Sequence, residues 1–186
     1  MRRVPALVLT ALATTAAVGV PAAPALADER VCRGSLGSVT VDDLRVPSGV
    51  TCTLTGTVVK GNVVVQGRAT LTATSVRVGG NVQAEGARMV TVTDSRVGGS
   101  VQVEQGGGAD IRRNRVEGDV QYGEMTRLLT TRRNVVGGNV QIVKNTGGVR
   151  VKDNRIDGAL QCKENRPAPT GSGNTASSKE GQCRSL

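Results

Sequence analysis

Residues 80–102 read GNVQAEGARMVTVTDSRVGGSVQ, and the motif that opens this stretch also closes it, with Ser100 in place of Asn81. The motif is a glycine followed by a small or polar residue and then Val or Leu. It occurs six times, at Gly61, Gly80, Gly99, Gly118, Gly138 and Gly158, at intervals of 19, 19, 19, 20 and 20. A motif that stays in phase over so long a stretch indicates an internal structural repeat.

The length of this unit predicts one coil of a parallel β-helix. Helical repeats need about 33 residues or more, whereas three short strands and three corners fit the unit at about 3.3 Å per residue. Five positions of each unit, at −9, −7, −2, +2 and +4 from the glycine, hold mostly small apolar residues that alternate with polar neighbours. Such alternation is typical of strands with one buried face. With an earlier coil around Leu44 and Val46, we predict an all-β, single-stranded parallel β-helix, or solenoid, of about seven coils.

The composition of the interior positions agrees with a narrow bore. The chain of 186 residues has 25 Gly, no Phe, Trp or His, and one aromatic ring, Tyr122, which falls at an interior position. We expect the glycine of each unit to mark a tight corner with positive φ. Thr131 is the polar exception among the interior positions, so a local register that turns Leu128 inward is an alternative in that coil.

Residues 1–27 have the pattern of a secretory signal peptide, with arginines at 2 and 3, an apolar run over 4–20 and Ala25-Leu26-Ala27 at the cleavage site. A retained membrane anchor is the alternative, but prolines interrupt the run before the ~20 apolar residues of a spanning helix. The mature chain would carry a net charge of +7, with no membrane span. The expected organisation is a signal peptide at 1–27, an N-terminal cap at 28–37, a parallel β-helix domain at 38–164 and a C-terminal loop or cap at 165–186.

Four cysteines lie toward the two ends of the predicted solenoid. Cys32 and Cys52 are close to one coil apart in the sequence, and so are Cys162 and Cys183. The two pairs are separated by several coils, much farther than the ~6 Å between Cα atoms that a disulfide spans. We therefore predict the disulfides Cys32–Cys52 and Cys162–Cys183, as expected in an oxidising extracellular or cell-wall location. The alternative, a zinc site of four thiolates, requires all four cysteines at one place.

A resemblance to known proteins rests on the Gly-Asn-Val-Gln repeat, on residues 153–165, DNRIDGALQCKEN, and on Gln182-Cys183 near the end of the chain. These features resemble a group of small secreted actinobacterial proteins of unassigned function, over nearly all of the chain after residue 27. That resemblance implies an exported β-helix and no particular activity. The glycine-phased valine repeats are more loosely similar to bactofilins, cytoskeletal β-helices that polymerise end to end. This chain departs from the bactofilin pattern in its signal peptide and its paired cysteines.

Basic residues recur at outward positions of two neighbouring faces and are the candidate binding residues. Arginine forks bind phosphate and carboxylate groups, and stacked like charges need counter-ions, so we expect an anionic cell-wall polymer as the partner. An ordinary solvated face is the alternative, because Asp and Glu residues lie among the basic ones. The candidate polyanion-binding residues are Arg112, Arg132, Arg150 and Lys152 on one face and Arg77, Arg96, Arg115 and Arg155 on the other.

Two other outward columns have a regular composition. The glutamines at position +3 predict a stacked amide ladder, with ligand binding by the spaced amides as the alternative. Thr-x-Thr rows at residues 53–55, 72–74 and 91–93 resemble an ice-binding face, but charged residues interrupt the rows after three coils. Threonine also favours exposed strand positions in general. The glutamines are Gln83, Gln102, Gln121, Gln141 and Gln161.

The composition narrows the classes of function. Without histidine, the chain has no Ser-His-Asp or Cys-His catalysis and no histidine-containing metal site, and no metal or cofactor site is predicted. Without exposed rings it lacks the stacking platforms of single-stranded nucleic-acid binders. We expect a non-enzymatic structural or binding protein of the cell envelope or extracellular space, monomeric or weakly self-associating. The alternatives are a self-assembling, bactofilin-like scaffold and a polysaccharide-cleaving enzyme with Asp94 and Asp110 or Asp153 and Asp157 as its carboxylate pair.

Overall fold

The computed structural model describes residues 28–186, so the predicted signal peptide lies outside the described residues. Within residues 28–186 the chain is all-β, with 24 strands of two to five residues. No helix in this part of the chain is long and apolar enough to cross a membrane.

The strands are short because each spans one side of a narrow coil. In chain order they are β1 (Glu29–Val31), β2 (Gly34–Leu36), β3 (Thr40–Val41), β4 (Asp43–Val46), β5 (Thr51–Thr55), β6 (Val58–Val59), β7 (Val63–Val65), β8 (Thr70–Thr74), β9 (Arg77–Val78), β10 (Val82–Glu85), β11 (Met89–Thr93), β12 (Arg96–Val97), β13 (Val101–Glu104), β14 (Gly108–Arg112), β15 (Arg115–Val116), β16 (Val120–Gly123), β17 (Leu129–Arg132), β18 (Val135–Val136), β19 (Val140–Val143), β20 (Val149–Lys152), β21 (Arg155–Ile156), β22 (Ala159–Lys163), β23 (Thr170–Ser172) and β24 (Ser178–Gly181).

Successive strands belong to three different parallel sheets, which confirms the predicted β-helix. Sheet A has nine strands, sheet B eight and sheet C seven, and equivalent residues of successive coils pair in register. The strand order is β1-β4-β7-β10-β13-β16-β19-β22-β24 in sheet A, β2-β5-β8-β11-β14-β17-β20-β23 in sheet B and β3-β6-β9-β12-β15-β18-β21 in sheet C.

The solenoid has about eight turns, because it extends into both segments that were expected to be caps. Strand β1 pairs in parallel with β4 at the N-terminal end. At the other end, β23 pairs with β20 and β24 pairs with β22. The segment 165–186 therefore continues the stack instead of forming a loop. Its Pro-, Gly- and Ser-rich sequence lacks the apolar alternation of the inner coils, which hides these strands from sequence inspection.

The five interior positions of the six repeats are buried, as predicted, and form one apolar core along the solenoid. Tyr122 is only 1% exposed and lies inside this core. Thr131 is also buried at 1%, whereas Leu128 is 44% exposed, so the alternative register that turns Leu128 inward is wrong. The buried Thr131 hydroxyl has a hydrogen-bond partner, because it accepts from Asn134 Nδ2 at 3.1 Å.

The six glycines of the repeat are required for a different reason from the positive φ that was predicted. None of its six glycines has positive φ. Instead, a Cβ placed on Gly99 would lie 2.2 Å from Asn81 Oδ1 and 2.9 Å from Gly80 O of the preceding coil. Glycine is required because the backbone of one coil lies against the polar side chain and main chain of its neighbour.

Both predicted disulfides are confirmed. The Cα atoms of Cys32 and Cys52 are 5.8 Å apart, and those of Cys162 and Cys183 are 5.2 Å apart. Since all four cysteines are bonded in this way, the four-thiolate zinc alternative is wrong. The bonds tie the first coil to the second and the final residues to β22, and they are compatible with an extracellular location.

Candidate functional site

The corner between sheets B and C positions the candidate residues. At this corner one residue per coil has a left-handed backbone, with φ between 53° and 66° from Gly56 to Asp153. Residues on either side of it point outward from sheet B and from sheet C. The left-handed residues are Gly56, Ser75, Asp94, Arg113, Arg133 and Asp153.

A buried ladder of polar side chains fixes this corner from the inside. Each asparagine accepts, through Oδ1, the main-chain N–H of its counterpart in the preceding coil at 2.9–3.0 Å. Each Nδ2 donates to a main-chain carbonyl at 2.8–2.9 Å. Each ladder residue comes directly after a left-handed residue in the sequence. Because the ladder residues are hydrogen-bonded from coil to coil, they hold the exposed side chains of the corner at a regular spacing. Its members are Ser95, Asn114, Asn134, Asn154 and Asn174.

Sequence reasoning missed this ladder because it concentrated on apolar interior positions. The signal is nevertheless present, since asparagine recurs once per coil from Asn114 to Asn174. A second, shorter ladder runs along the corner between sheets A and B. There Asn145 Oδ1 accepts a hydrogen bond from the main-chain N–H of Met125, and Asn165 Oδ1 accepts one from the main-chain N–H of Asn145. Buried amides that repeat at the coil length are therefore a structural feature of two corners.

The structure brings the sheet B candidates together on successive strands. Arg112, Arg132 and Lys152 are register partners on β14, β17 and β20. Arg150 lies two positions before Lys152 on the same outward side, beside Thr130 of the preceding coil. These four side chains form one basic patch in the C-terminal half of sheet B.

The sheet C candidates form a shorter row. Arg77, Arg96 and Arg115 are register partners on β9, β12 and β15. Val135 then interrupts the row and separates Arg115 from Arg155. Three of the four predicted arginines are therefore adjacent, and the fourth lies two coils further along.

Two arginines of the corner itself were not among the predicted candidates. Arg113 and Arg133 occupy the left-handed position between the two basic rows and are exposed. Each directly follows a predicted arginine in the sequence, so that the dipeptides Arg112-Arg113 and Arg132-Arg133 lie one coil apart. That repeated dipeptide is the signal that could have identified them.

In the six repeat coils, sheets B and C and the corner between them carry most of the net charge. We call this surface the basic face, and it contains eleven basic and five acidic side chains, a net charge of +6. The described chain as a whole has a net charge of +7, so all its other residues together contribute only +1. The basic face comprises residues 53–60, 72–79, 91–98, 110–117, 130–137 and 150–157.

Acidic side chains neutralise part of this face. The tightest pair is Arg113 with Asp94 of the preceding coil, which is bidentate with N–O distances of 2.6 and 2.7 Å. Its hydrogen bonds hold the pKa of Asp94 below its usual value and raise the pKa of Arg113. The other pairs are Lys60–Asp42 at 2.8 Å, Arg115–Glu117 at 2.9 Å, Arg112–Asp110 at 3.3 Å, Arg155–Asp157 at 3.5 Å and Arg133–Asp153 at 3.9 Å, and of these carboxylates only Asp42 lies outside the face.

Five of the eight predicted residues form no ion pair with an acidic side chain in the part of the chain that the structure describes. They are spread over several coils on both sides of the corner. Accessible, unpaired cations at this density attract counter-ions and anionic ligands. The five residues are Arg77, Arg96, Arg132, Arg150 and Lys152.

The carboxylates that were considered for glycan cleavage all lie beside arginines. Asp94, Asp110, Asp153 and Asp157 each pair with an arginine of the basic face. A general acid needs a raised pKa, whereas the pKa of Asp94 is lowered. In this geometry the four carboxylates adjust the charge of the basic face.

The remaining outward columns have the regular arrangement that their sequences predict. Gln83 donates to Gln102 at 3.3 Å and Gln102 to Gln121 at 3.4 Å, so part of the glutamine column forms an amide ladder. The threonines of 53–55, 72–74 and 91–93 are in register on sheet B and end where the basic patch begins. Within residues 28–186 there is no cluster of three or more side chains suited to holding a metal ion.

Comparison with known proteins adds no family to this description. No protein-family model matches the chain, and no curated protein or solved structure is significantly similar to it. The basic face therefore has to be interpreted from its own geometry and charge.

Proposed function

We propose that this protein is a non-enzymatic, extracellular binding protein that attaches to anionic polymers of the cell envelope through its basic face. The observation that carries the proposal is the concentration of +6 of the +7 net charge on two adjacent sheets, B and C, and the corner that joins them. The solenoid backbone already holds these cations at fixed intervals, so binding an extended polyanion orders only their side chains. The release of condensed counter-ions from such a polymer drives the association.

The absence of exposed aromatic rings narrows the class of polymer. Tyr122, the single ring of the chain, is buried in the core. Binders of single-stranded nucleic acids use exposed rings as stacking platforms, and the described surface of this protein offers none. The ligand that fits is recognised by its charge, as a wall polymer with phosphate or carboxylate groups would be.

The proposal predicts salt-dependent retention on cell walls that carry teichoic acid. Replacing Arg112, Arg132 and Arg150 by Ala removes three cations from the sheet B patch without touching the core. We expect retention at low salt to fall about tenfold or more and the salt slope to fall by about two or three, because each lost phosphate contact lowers the slope by about one. The measurement is retention of the residue 28–186 protein across a salt series.

A matched control removes the same charge elsewhere. Arg68, Arg88 and Arg127 are exposed near the corner between sheets A and B, and their replacement by Ala should change retention much less. Equal losses for the two triple variants would point to net charge alone and contradict a role for the basic face. Unchanged retention in the first variant would also refute the electrostatic proposal.

A further inference from the structure

We infer that the ligand of the basic face is a flexible, linear phosphate polymer that lies lengthwise along the corner between sheets B and C, and that Asp94 limits its affinity. This inference rests on the proposed function. It specifies the class of polymer, the orientation of the polymer on the protein and the residue that limits the affinity. It follows from the direction of the basic rows, from the shape of the corner and from one ion pair.

The corner contains a shallow groove that runs along the solenoid axis. One wall is formed by Arg77, Arg96 and Arg115, one from each of three successive coils. The other wall is formed by left-handed corner residues, including Arg113 and Arg133. Each of the four coils that line the groove contributes at least one arginine, so a chain lying lengthwise meets a cation in every coil, whereas a chain crossing the groove would meet only one or two coils.

The spacing of the coils favours phosphate as the charged group. Stacked strands are about 4.8 Å apart, so arginines in register on neighbouring coils can approach the same anion. Each internal phosphate of a linear polymer has two non-bridging oxygens that diverge tetrahedrally, so it can accept from two such guanidinium groups, whereas the two coplanar oxygens of a carboxylate match the fork of one. From Arg77 to Arg155 the basic rows span four steps, or about 19 Å.

Asp94 lies in the middle of this groove and competes with the ligand. Its carboxylate binds Arg113 through both oxygens, which occupies the central arginine of the corner. Both side chains are more than 40% exposed, so a polymer in the groove has access to them. Removing this carboxylate frees Arg113 for phosphate and also removes a repulsive charge.

The first test uses inorganic polyphosphate chains of graded length, from shorter to longer than the basic rows, in a binding titration at fixed low salt. We expect the affinity per binding site and the salt slope to rise with chain length until the polyphosphate spans the four coil steps from Arg77 to Arg155. For longer chains both quantities should stay constant. A plateau reached with chains that cover only one or two coils would overturn the lengthwise orientation. Polygalacturonate oligomers of equal charge should bind more weakly, and tighter binding of the uronate would overturn the phosphate assignment.

The second test uses Asp94→Asn, because Asn tolerates the left-handed backbone at this position. We expect polyphosphate to bind about two- to fivefold more tightly, the size expected for one additional exposed ionic contact. Glu124→Gln makes the same change of charge at the corner between sheets A and B and should have a smaller effect. Equal effects of the two variants would overturn the role of Asp94. If neither polyphosphate nor polygalacturonate binds the unaltered protein at low salt, the proposed function itself fails. Binding of polygalacturonate alone, or polyphosphate binding without length dependence, would refute only the present inference.

Discussion

At the glycine column, the backbone of each coil lies directly against its neighbour. A Cβ on Gly99 would approach Asn81 Oδ1 to 2.2 Å, and the same contact recurs at Gly80, where Asn62 Oδ1 would be 2.5 Å away. The asparagines at this position accept the main-chain N–H of the next coil, as Asn81 does from Ser100 at 2.7 Å. The Gly-Asn sequence thus combines a residue without a side chain and a residue that links two coils.

We predict that Gly99→Ala lowers the free energy of unfolding by about 1–3 kcal/mol, because the added methyl group overlaps atoms that cannot all move away. Urea denaturation of the variant and of the unaltered protein measures this difference. Gly67→Ala is the control, since a Cβ there has Glu85 O at 4.0 Å as its nearest neighbour. Similar losses for the two variants would show that the close approach is not what requires glycine.

Among single residues, the sequence correctly predicted the buried side chains of the five interior columns, but not the buried asparagines or the conformation of the corners. Buried positions follow from alternation along each strand, which is visible within one unit. The left-handed backbone at Asp94, Arg113 and Arg133 is not visible in this way, because positive φ is usual for glycine and these residues are charged. Hydrogen bonds from the neighbouring coils impose that conformation.

At the scale of elements, the asparagine ladder connects the strands of sheet B to those of sheet C. Asn134 illustrates its role, since Oδ1 accepts the N–H of Asn114 and Nδ2 donates to the carbonyl of Ile111. These groups are buried at a point where the sheets do not provide strand partners. The ladder replaces strand pairing at the corner and holds the basic side chains outside it.

Replacing Asn134 by Ala should cost about 2–3 kcal/mol of unfolding free energy, because the buried N–H of Asn114 loses its acceptor. It should also weaken polyphosphate binding, since the corner that carries Arg113 and Arg133 loses its internal support. Gln121→Ala, in the outward amide ladder, provides the comparison and should change stability by less than about 0.5 kcal/mol. The hypothesis is refuted if thermal unfolding and binding are the same for Asn134→Ala and Gln121→Ala.

For the whole molecule, each coil contacts only its neighbours, so stability is distributed along the axis as in other solenoids. The two end coils are stabilised from one side only, and each has a disulfide. Their outermost strands, such as β1 and β24, have a strand neighbour on one side only, and such edges are where sheets associate with other chains. The disulfides thus act where a one-dimensional stack is weakest.

Replacing Cys162 and Cys183 together by Ser should loosen the C-terminal coil alone. Loop-closure entropy for about 20 residues amounts to roughly 3 kcal/mol, so amide protection over β22–β24 should fall on the order of a hundredfold. Hydrogen exchange read by mass spectrometry would measure this loss, with the coils around β10–β15 unchanged. The Cys32 and Cys52 double variant should give the mirror result at β1–β5. Faster exchange throughout the chain in either variant would instead mean that the solenoid opens as one cooperative unit.

Local patterns in the chain were enough to predict the β-helix, the interior positions and both disulfides, because a repeat of one coil length superposes equivalent side chains along the whole stack. The eighth turn, the hydrogen-bond partners of the recurring asparagines and the state of each charge required the folded arrangement. Arg113 and Asp94 belong to successive coils and meet only because those coils stack in register. Whether a cation is paired or available to a ligand depends on distances across coils, and those distances exist only in the assembled stack.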